Sequence, residues 1–376
     1  MTILATTSRR ALFLAAAIAL SGCGSGGSGG GGVLPPPAPP PSGVNWGAPV
    51  TLASSAGSVT APAAAIDAGG VAAVLWSQTG LTPVAGQPPL AATYVAAREN
   101  TAASGWAATQ LIESASVGDG ATDQIIDLQA RAPAVGISAA WLRAPVVGSN
   151  DRVRAVRRES ANGWSFGNVA AGVAGLARSE LAFASNDAGV QAIAWVEPVA
   201  GVPQVQLRTR RIGVADWTAP ALPVQTDPAI AGSQPALAID ANGLVMIAWR
   251  RGGTTGELRA RSFDVLTGVY GSDLPVSPNQ PDQRNPRVVA VAANQFVVAW
   301  EQLSGGIYDL RATRGSNTSW LANPPAVNAR AESVSGARLL AGPNAGALVL
   351  WQQADTLFAA RFSAANGQWT RPVQVG

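Results

Sequence analysis

Two glutamates, Glu197 and Glu301, each follow closely on a tryptophan that ends an apolar run, in AIAWVE and VVAWE. Paired carboxylates are what a glycosidase requires, one to protonate the leaving oxygen and one to attack or to activate water. The places after the other tryptophans hold Ser77 and Gln78, Arg143, Arg250 and Arg251, Gln302, and Gln352 with Gln353. Read together, these side chains are either a catalytic set or the polar rim of a ligand-binding face. A third group, Asp119, Asp123 and Asp127, lies within the segment from Glu113 to Arg131. Clustered oxygen ligands suit a hard cation, which makes this the place for Ca2+. Its spacing matches no EF-hand, and an ordinary acidic loop is the alternative.

Composition narrows the chemistry. The 376 residues contain one Cys and no His, and every one of the 25 basic residues is Arg. Without His there is no Ser-His-Asp triad and no Cys2His2 zinc site within this chain. No cofactor other than Ca2+ is expected. The net charge is +3, two of whose arginines, Arg9 and Arg10, fall in an N-terminal leader. The remainder is close to neutral and has no basic run interleaved with aromatics, so nucleic acid is not an expected partner.

The elements that must position these residues repeat along the chain. Trp76, Trp141, Trp195, Trp249, Trp300 and Trp351 close similar apolar strands. A second aromatic series follows at Trp106, Trp164, Trp217, Tyr270, Trp320 and Trp369. Two series with one drifting period mark a repeat protein. Each repeat parses into four short strands. In the fourth these lie near Pro235 to Asp240, Leu244 to Trp249, Glu257 to Phe263 and just after Tyr270, with Asn242-Gly243 as a tight turn tolerant of positive φ. Third strands end in an Arg (Arg98, Arg157, Arg210, Arg261, Arg314, Arg361), and that equivalence predicts a structural or surface role, with carboxylate binding as the alternative. The runs are too short and too often broken by Gly and Pro for helices. A four-stranded unit of this size cannot bury both faces alone, whereas six arranged radially can. The expected fold class is therefore all-β, a six-bladed β-propeller of four-stranded antiparallel blades spanning 44–376. Trp46-Gly47-Ala48-Pro49-Val50 supplies a seventh fourth-strand-like segment, so one terminal segment is expected to close the ring.

The amino terminus predicts export. Residues 1–22 carry two arginines ahead of the apolar run Ala11 to Leu20, which is too short to span a bilayer and reads as a signal peptide. Leu20-Ser21-Gly22-Cys23 resembles the bacterial lipoprotein processing box, which implies cleavage before Cys23 and attachment of lipid (palmitate) to its thiol. An ordinary secretory leader with an incidental Cys is the alternative. Gly24 after the Cys favours the outer membrane, periplasmic or surface-facing. Residues 23–43, rich in Gly, Ser and Pro, read as a tether.

Ser363-Ala364-Ala365-Asn366-Gly367-Gln368-Trp369-Thr370 resembles a degenerate Asp box, the hairpin of sialidase-like propellers, and Ser160-Ala161-Asn162-Gly163-Trp164 is a shorter relative. That resemblance implies a six-bladed fold, with the box a structural turn. Sialidases also use three Arg, a Tyr activated by a Glu, and an Asp. No such complete set transfers here, since Tyr94 and Tyr308 lie in third strands and Tyr270 replaces a structural Trp. The functional expectation is a membrane-anchored binding or scaffolding module of the cell envelope, held to the lipid membrane by its anchor and recognising protein or glycan. Its alternative is a sialidase-like glycoside hydrolase using Glu197 or Glu301. Converged carboxylates would favour the enzyme, and charges scattered on a flat rim the module.

Overall fold

The computed structural model describes residues 50–53, 58–78, 93–101, 103–113, 124–132, 136–144, 151–159, 163–170, 176–211, 214, 216–218, 221–253, 255–278, 280–329 and 332–375. The chain divides into two units, Met1–Ser54 and Ser55–Gly376, and all described strands belong to the second.

Six antiparallel sheets follow one another along the chain. Sheet I holds β1 (Val59–Ile66), β2 (Ala72–Gln78), β3 (Tyr94–Thr101), β4 (Gly105–Trp106) and β5 (Gln110–Leu111). Sheet II holds β6 (Gln124–Arg131), β7 (Ile137–Ala144), β8 (Arg152–Glu159) and β9 (Gly163–Ala170). Sheet III is built from β10 (Ser179–Ser185), β11 (Gln191–Val199), β12 (Val202–Arg210) and β13 (Leu222–Pro223). Sheet IV comprises β14 (Gly232–Ile239), β15 (Leu244–Arg251), β16 (Glu257–Asp264), β17 (Val269–Tyr270) and β18 (Leu274–Pro275). Sheet V has β19 (Gln283–Ala292), β20 (Gln295–Ser304) and β21 (Ile307–Gly315), with isolated bridges from Arg311 to Ala326 and Gly315 to Trp320 in place of a fourth strand. Sheet VI completes the series with β22 (Val334–Ala341), β23 (Ala347–Gln353), β24 (Thr356–Ser363), β25 (Gln368–Trp369) and β26 (Val373–Gln374).

The second strand of each sheet carries the core. Strands such as ISAAWLRA and QAIAWVEPV are nearly continuous apolar runs because both faces are covered. The six recurrent tryptophans lie there, each at most 2% exposed. Alanines beside them (Ala96, Ala97, Ala140, Ala194, Ala248, Ala299) are fully buried, and their small side chains let neighbouring sheets approach closely.

Turn chemistry repeats with the sheets. Asp67, Asn186 and Asp240 each accept, through a side-chain oxygen, the N–H four residues on, at 2.9 Å. Gly70, Gly189 and Gly243 take the left-handed position that closes each loop. Here the expectation for Asn242-Gly243 is corrected: only Gly243 has positive φ, at 88°. The hairpin is a three-residue loop stabilised by Asp240, with Asn242 N–H donating to its carboxylate at 2.9 Å.

First strands share a bulge. Register slips in all six, and Asp127, Glu180, Gln234, Asn285 and Gly336 sit at the bulge with φ of 52–64°. These side chains link neighbours: Asp127 accepts Leu181 N–H at 3.1 Å, Glu180 accepts Gln234 N–H at 2.5 Å, and Gln234 accepts Asn285 N–H at 2.7 Å. The bulge re-aims a polar side chain from one sheet onto the next.

The expected six-bladed propeller is not what forms. Hydrogen-bonded pairing stays within each repeat, and no sheet closes or curls on itself. Apolar clusters join sheets I and II, II and III, III and IV, IV and V, and V and VI. Among the described residues no such cluster joins VI to I. The repeat dictates one sheet per unit and its contact with the next, because those surfaces recur. Whether such an array closes depends on the rotation from one sheet to the next, which periodicity alone does not state. The segment expected to close the ring around Trp46 lies outside the described residues, as do Cys23, the leader and the tether.

Candidate active site

In three of the sheets the residue two places after the core tryptophan serves its indole. The Trp76, Trp195 and Trp300 indole N–H groups donate to Gln78, Glu197 and Gln302 at 2.7, 2.8 and 3.2 Å. A buried indole N–H needs an acceptor, and these side chains supply it. In sheet II the place is taken by Arg143, a donor, and the acceptor comes from Glu113 at the end of sheet I. Arg143 donates to Glu113 at 3.0 Å and to Thr93 carbonyl at 3.2 Å, and Arg154 Nε lies 3.6 Å from the same carboxylate. Burial pushes the Glu113 carboxyl above its ordinary value, even though Arg143, Arg154 and the Trp141 indole favour the anion.

The structure does not bring Glu197 and Glu301 together. Glu197 pairs with Arg178 at 2.8 Å in sheet III, and Glu301 with Arg284 at 2.9 Å in sheet V. Arg251 pairs with Asp227 at 3.2 Å, and Gln352 donates to Ala354 carbonyl at 2.9 Å. Asp119 and Asp123 lie outside the described residues, and Asp127 makes the bulge contact described above. No group of three metal-ligating side chains occurs among the described residues.

Two of these residues, Arg250 and Glu301, do enter one polar network where sheets IV and V meet. Asp282, just before β19, accepts Arg250 Nη2 on Oδ1 at 2.7 Å and Gly256 N–H at 2.9 Å. Its Oδ2 accepts the Tyr308 hydroxyl at 2.9 Å. Arg284 lies over the Tyr308 ring, 3.3 Å from its centroid, and reaches back to Glu301. Glu301 also accepts Asn285 Nδ2 at 3.0 Å and is only 2% exposed, so it positions Arg284 rather than meeting solvent.

Local structure explains the placement. Asp282 carbonyl accepts Leu303 N–H, and Gln283 N–H donates to Gly256 carbonyl, both at 2.9 Å, so the 282–283 segment is pinned between two hairpins. A Cβ on Gly256 would overlap the Arg250 guanidinium, so only glycine lets that side chain lie flat beneath Asp282.

The electrostatics follow from these contacts. Partial burial acts to raise the Asp282 carboxyl, but Arg250, the Gly256 N–H and the Tyr308 hydroxyl outweigh it and hold the group below the usual carboxylate range. Tyr308 moves the other way: its hydrogen bond to Asp282, reinforced by desolvation and the aspartate charge, raises it. The pair is thus a carboxylate beside a phenol that retains its proton, with the cation of Arg284 at the surface.

Asp282, Arg284 and Tyr308 were not singled out by sequence. The available signal was weak: QPDQRNP at 280–286 carries two charged residues and two prolines at the start of its first strand, while the other first strands also begin with polar residues.

The finding on the rim residues overturns the binding or scaffolding expectation. Arg143, Glu197, Arg250 and Glu301 are not scattered charges on a flat rim but members of buried or half-buried carboxylate–guanidinium pairs. No family model matches the chain, and no curated protein does. Solved structures do. A polysaccharide lyase, an ulvan lyase of family 25, has a TM-score of 0.51 at 11% identity, over 85% of this chain and 84% of that one. The same kind of lyase bound to a GlcA(1-4)Rha3S repeat gives 0.50 at 10% identity, over 82% and 81%. The intramolecular trans-sialidase of Ruminococcus gnavus gives 0.46 at 7% identity, over 82% and 95%. The expected sialidase-like propeller is therefore corrected, whereas the leader, Cys23 and the tether lie outside the described residues, and the comparisons lend the lipoprotein expectation no support. The chain is similar in fold to a polysaccharide lyase, with six open antiparallel sheets and a Tyr–Asp–Arg network between the fourth and fifth.

Proposed function

We propose that the protein is a carbohydrate-active enzyme that cleaves a uronate-containing polysaccharide by β-elimination at the Tyr308–Asp282 pair. The observation that carries this reading is the 2.9 Å separation of the Tyr308 hydroxyl from Asp282 Oδ2. Hydrolytic carboxyl pairs stand roughly 5–10 Å apart, because an anomeric carbon or a water must fit between them. An acid and a base in direct contact instead match two adjacent atoms of one sugar ring. The Asp282 carboxylate takes the C5 proton, the C4–C5 double bond forms as the C4–O bond breaks, and Tyr308 protonates the departing oxygen. Arg284, half-exposed above the ring, pairs with the uronate carboxylate and stabilises the charge that builds as the proton leaves. Glu301 and Asn285 hold that arginine in place.

The likeness in fold to ulvan lyases, one solved with a glucuronate-containing repeat, supports the substrate class. The test is to incubate the full chain with uronate-containing polysaccharides and follow both reducing ends and the ultraviolet absorbance of an unsaturated uronate. Elimination produces both signals together. Reducing ends without the absorbance would mean hydrolysis, and neither signal would sink the reading.

A further inference from the structure

A second cluster of arginines lies away from the Tyr308–Asp282 pair, on the first strands. Arg287 (β19) donates Nε to Ala337 carbonyl at 3.2 Å, and Arg338 (β22) donates Nη1 to the same oxygen at 3.1 Å. Two guanidinium groups from different sheets are thus held side by side on one acceptor. Arg131, from β6 of sheet II, lies within electrostatic range of both. It donates to Ala130 carbonyl at 2.8 Å and to Gln129 Oε1 at 3.2 Å, both neutral oxygens. Arg287 donates Nη1 to Pro286 carbonyl at 2.8 Å, and its nearest noted carboxylate, Glu301, is already engaged by Arg284 and Asn285.

The first-strand bulge puts them there. Arg287 and Arg338 each directly follow a bulge, at Asn285-Pro286 and Gly336-Ala337. The equivalent places in sheets III and IV are Ala182 and Ala236, which carry no charge. Two neighbouring sheets therefore hold guanidinium groups on one carbonyl, and the charge of Arg131 reaches both.

From this geometry we infer that Arg131, Arg287 and Arg338 form a binding site for an oxyanion, a carboxylate, sulfate or phosphate group. Guanidinium forks match oxyanion geometry and share their protons among several oxygens at once. Burial and mutual repulsion both act on the arginines gathered here. Desolvation, then the charges of Arg338 and Arg131, push Arg287 down to about 10, against the opposing pull of Glu301. Arg131 is likewise lowered, by desolvation and then by Arg338. An anion bound between the three relieves both costs. The site is independent of the reaction proposed above.

The test is thermal unfolding and titration calorimetry of the full chain with inorganic sulfate, inorganic phosphate and glucuronate, against chloride at equal ionic strength. At least one of the three should raise the melting temperature saturably. R338Q alters an exposed side chain and should fold normally, yet should weaken that binding on the order of tenfold. R131Q should do the same, while R371Q, an exposed arginine elsewhere, should bind as the parent does. No stabilisation by any of the three anions, or an R338Q variant that binds as tightly as the parent, would overturn the inference.

Discussion

Replacing Tyr308 with Phe separates what its hydroxyl does for stability from what it does for chemistry. The ring stays, so Arg284 keeps its aromatic platform and only the 2.9 Å bond to Asp282 is lost. A hydrogen bond to an ionised acceptor is worth about 1.5–3 kcal/mol when sheltered. Tyr308 is half-exposed, which reduces that to about 1 kcal/mol. For a unit the size of Ser55–Gly376 the melting temperature should fall by only about 1–2 °C. A positioned general acid contributes about 10²–10⁴ to rate, or roughly 3–5.5 kcal/mol of barrier. Initial rates of unsaturated-uronate formation should therefore drop far more than the fold weakens. The pH profile should also move. Asp282 loses a donor that favours its anion, so the acid limb shifts to higher pH. In the parent, Asp282 has a depressed folded value, so its contribution to stability is present above the unfolded value of about 3.9 and is lost as pH falls through the lower folded value. Tyr308 is raised, so its contribution is present below about 10 and is lost as pH rises through the folded value. A variant that keeps its rate within about threefold of the parent would refute the catalytic role.

Three further outcomes test the structure around the site. Glu197→Gln keeps an acceptor for the Trp195 indole, as Gln78 and Gln302 do for theirs, but leaves the nearly buried Arg178 guanidinium facing a neutral amide; it should cost about 1–3 kcal/mol and leave cleavage intact, which calorimetry with a rate assay checks. Glu113→Gln removes the carboxylate between Arg143 and Arg154, both nearly buried, and should cost on the order of 3 kcal/mol in denaturant unfolding; an unchanged midpoint would show the triad to be dispensable. Gly243→Ala forces a side chain into φ of 88° at the β14–β15 turn and should destabilise by about 1–2 kcal/mol, read from the urea midpoint.

Much of the architecture was written in the residues. The six tryptophans, their apolar strands and the recurring Asp or Asn turns mark six sheets, and each tryptophan is buried on the second strand of its own sheet. The structural role of the third-strand arginines was equally legible. Arg210 stacks on Trp217 and Arg261 on Tyr270, while Arg98 donates to Ala107 carbonyl at 2.7 Å. Less legible was the use of each polar residue after a tryptophan. Glu197 and Glu301 look alike in sequence, two places and one place past a tryptophan respectively, but that single-residue difference points them to different partners because side chains alternate across a strand. The catalytic candidates were hidden for the opposite reason. Asp282 and Tyr308 are 26 residues apart and meet across Leu303 of the strand between them, a register that residue types alone do not announce.

Sequence alone determined the composition of the chemistry and the local elements: no histidine, only arginine as cation, and six apolar repeats of strand length. Periodicity and turn residues act over a few positions, so a chain can state them without reference to the rest. Tertiary structure decided which charges became neighbours, whether the sheets closed, and which phenol kept its proton. Those depend on distances between residues far apart in the chain, and on the water that packing removes from around them.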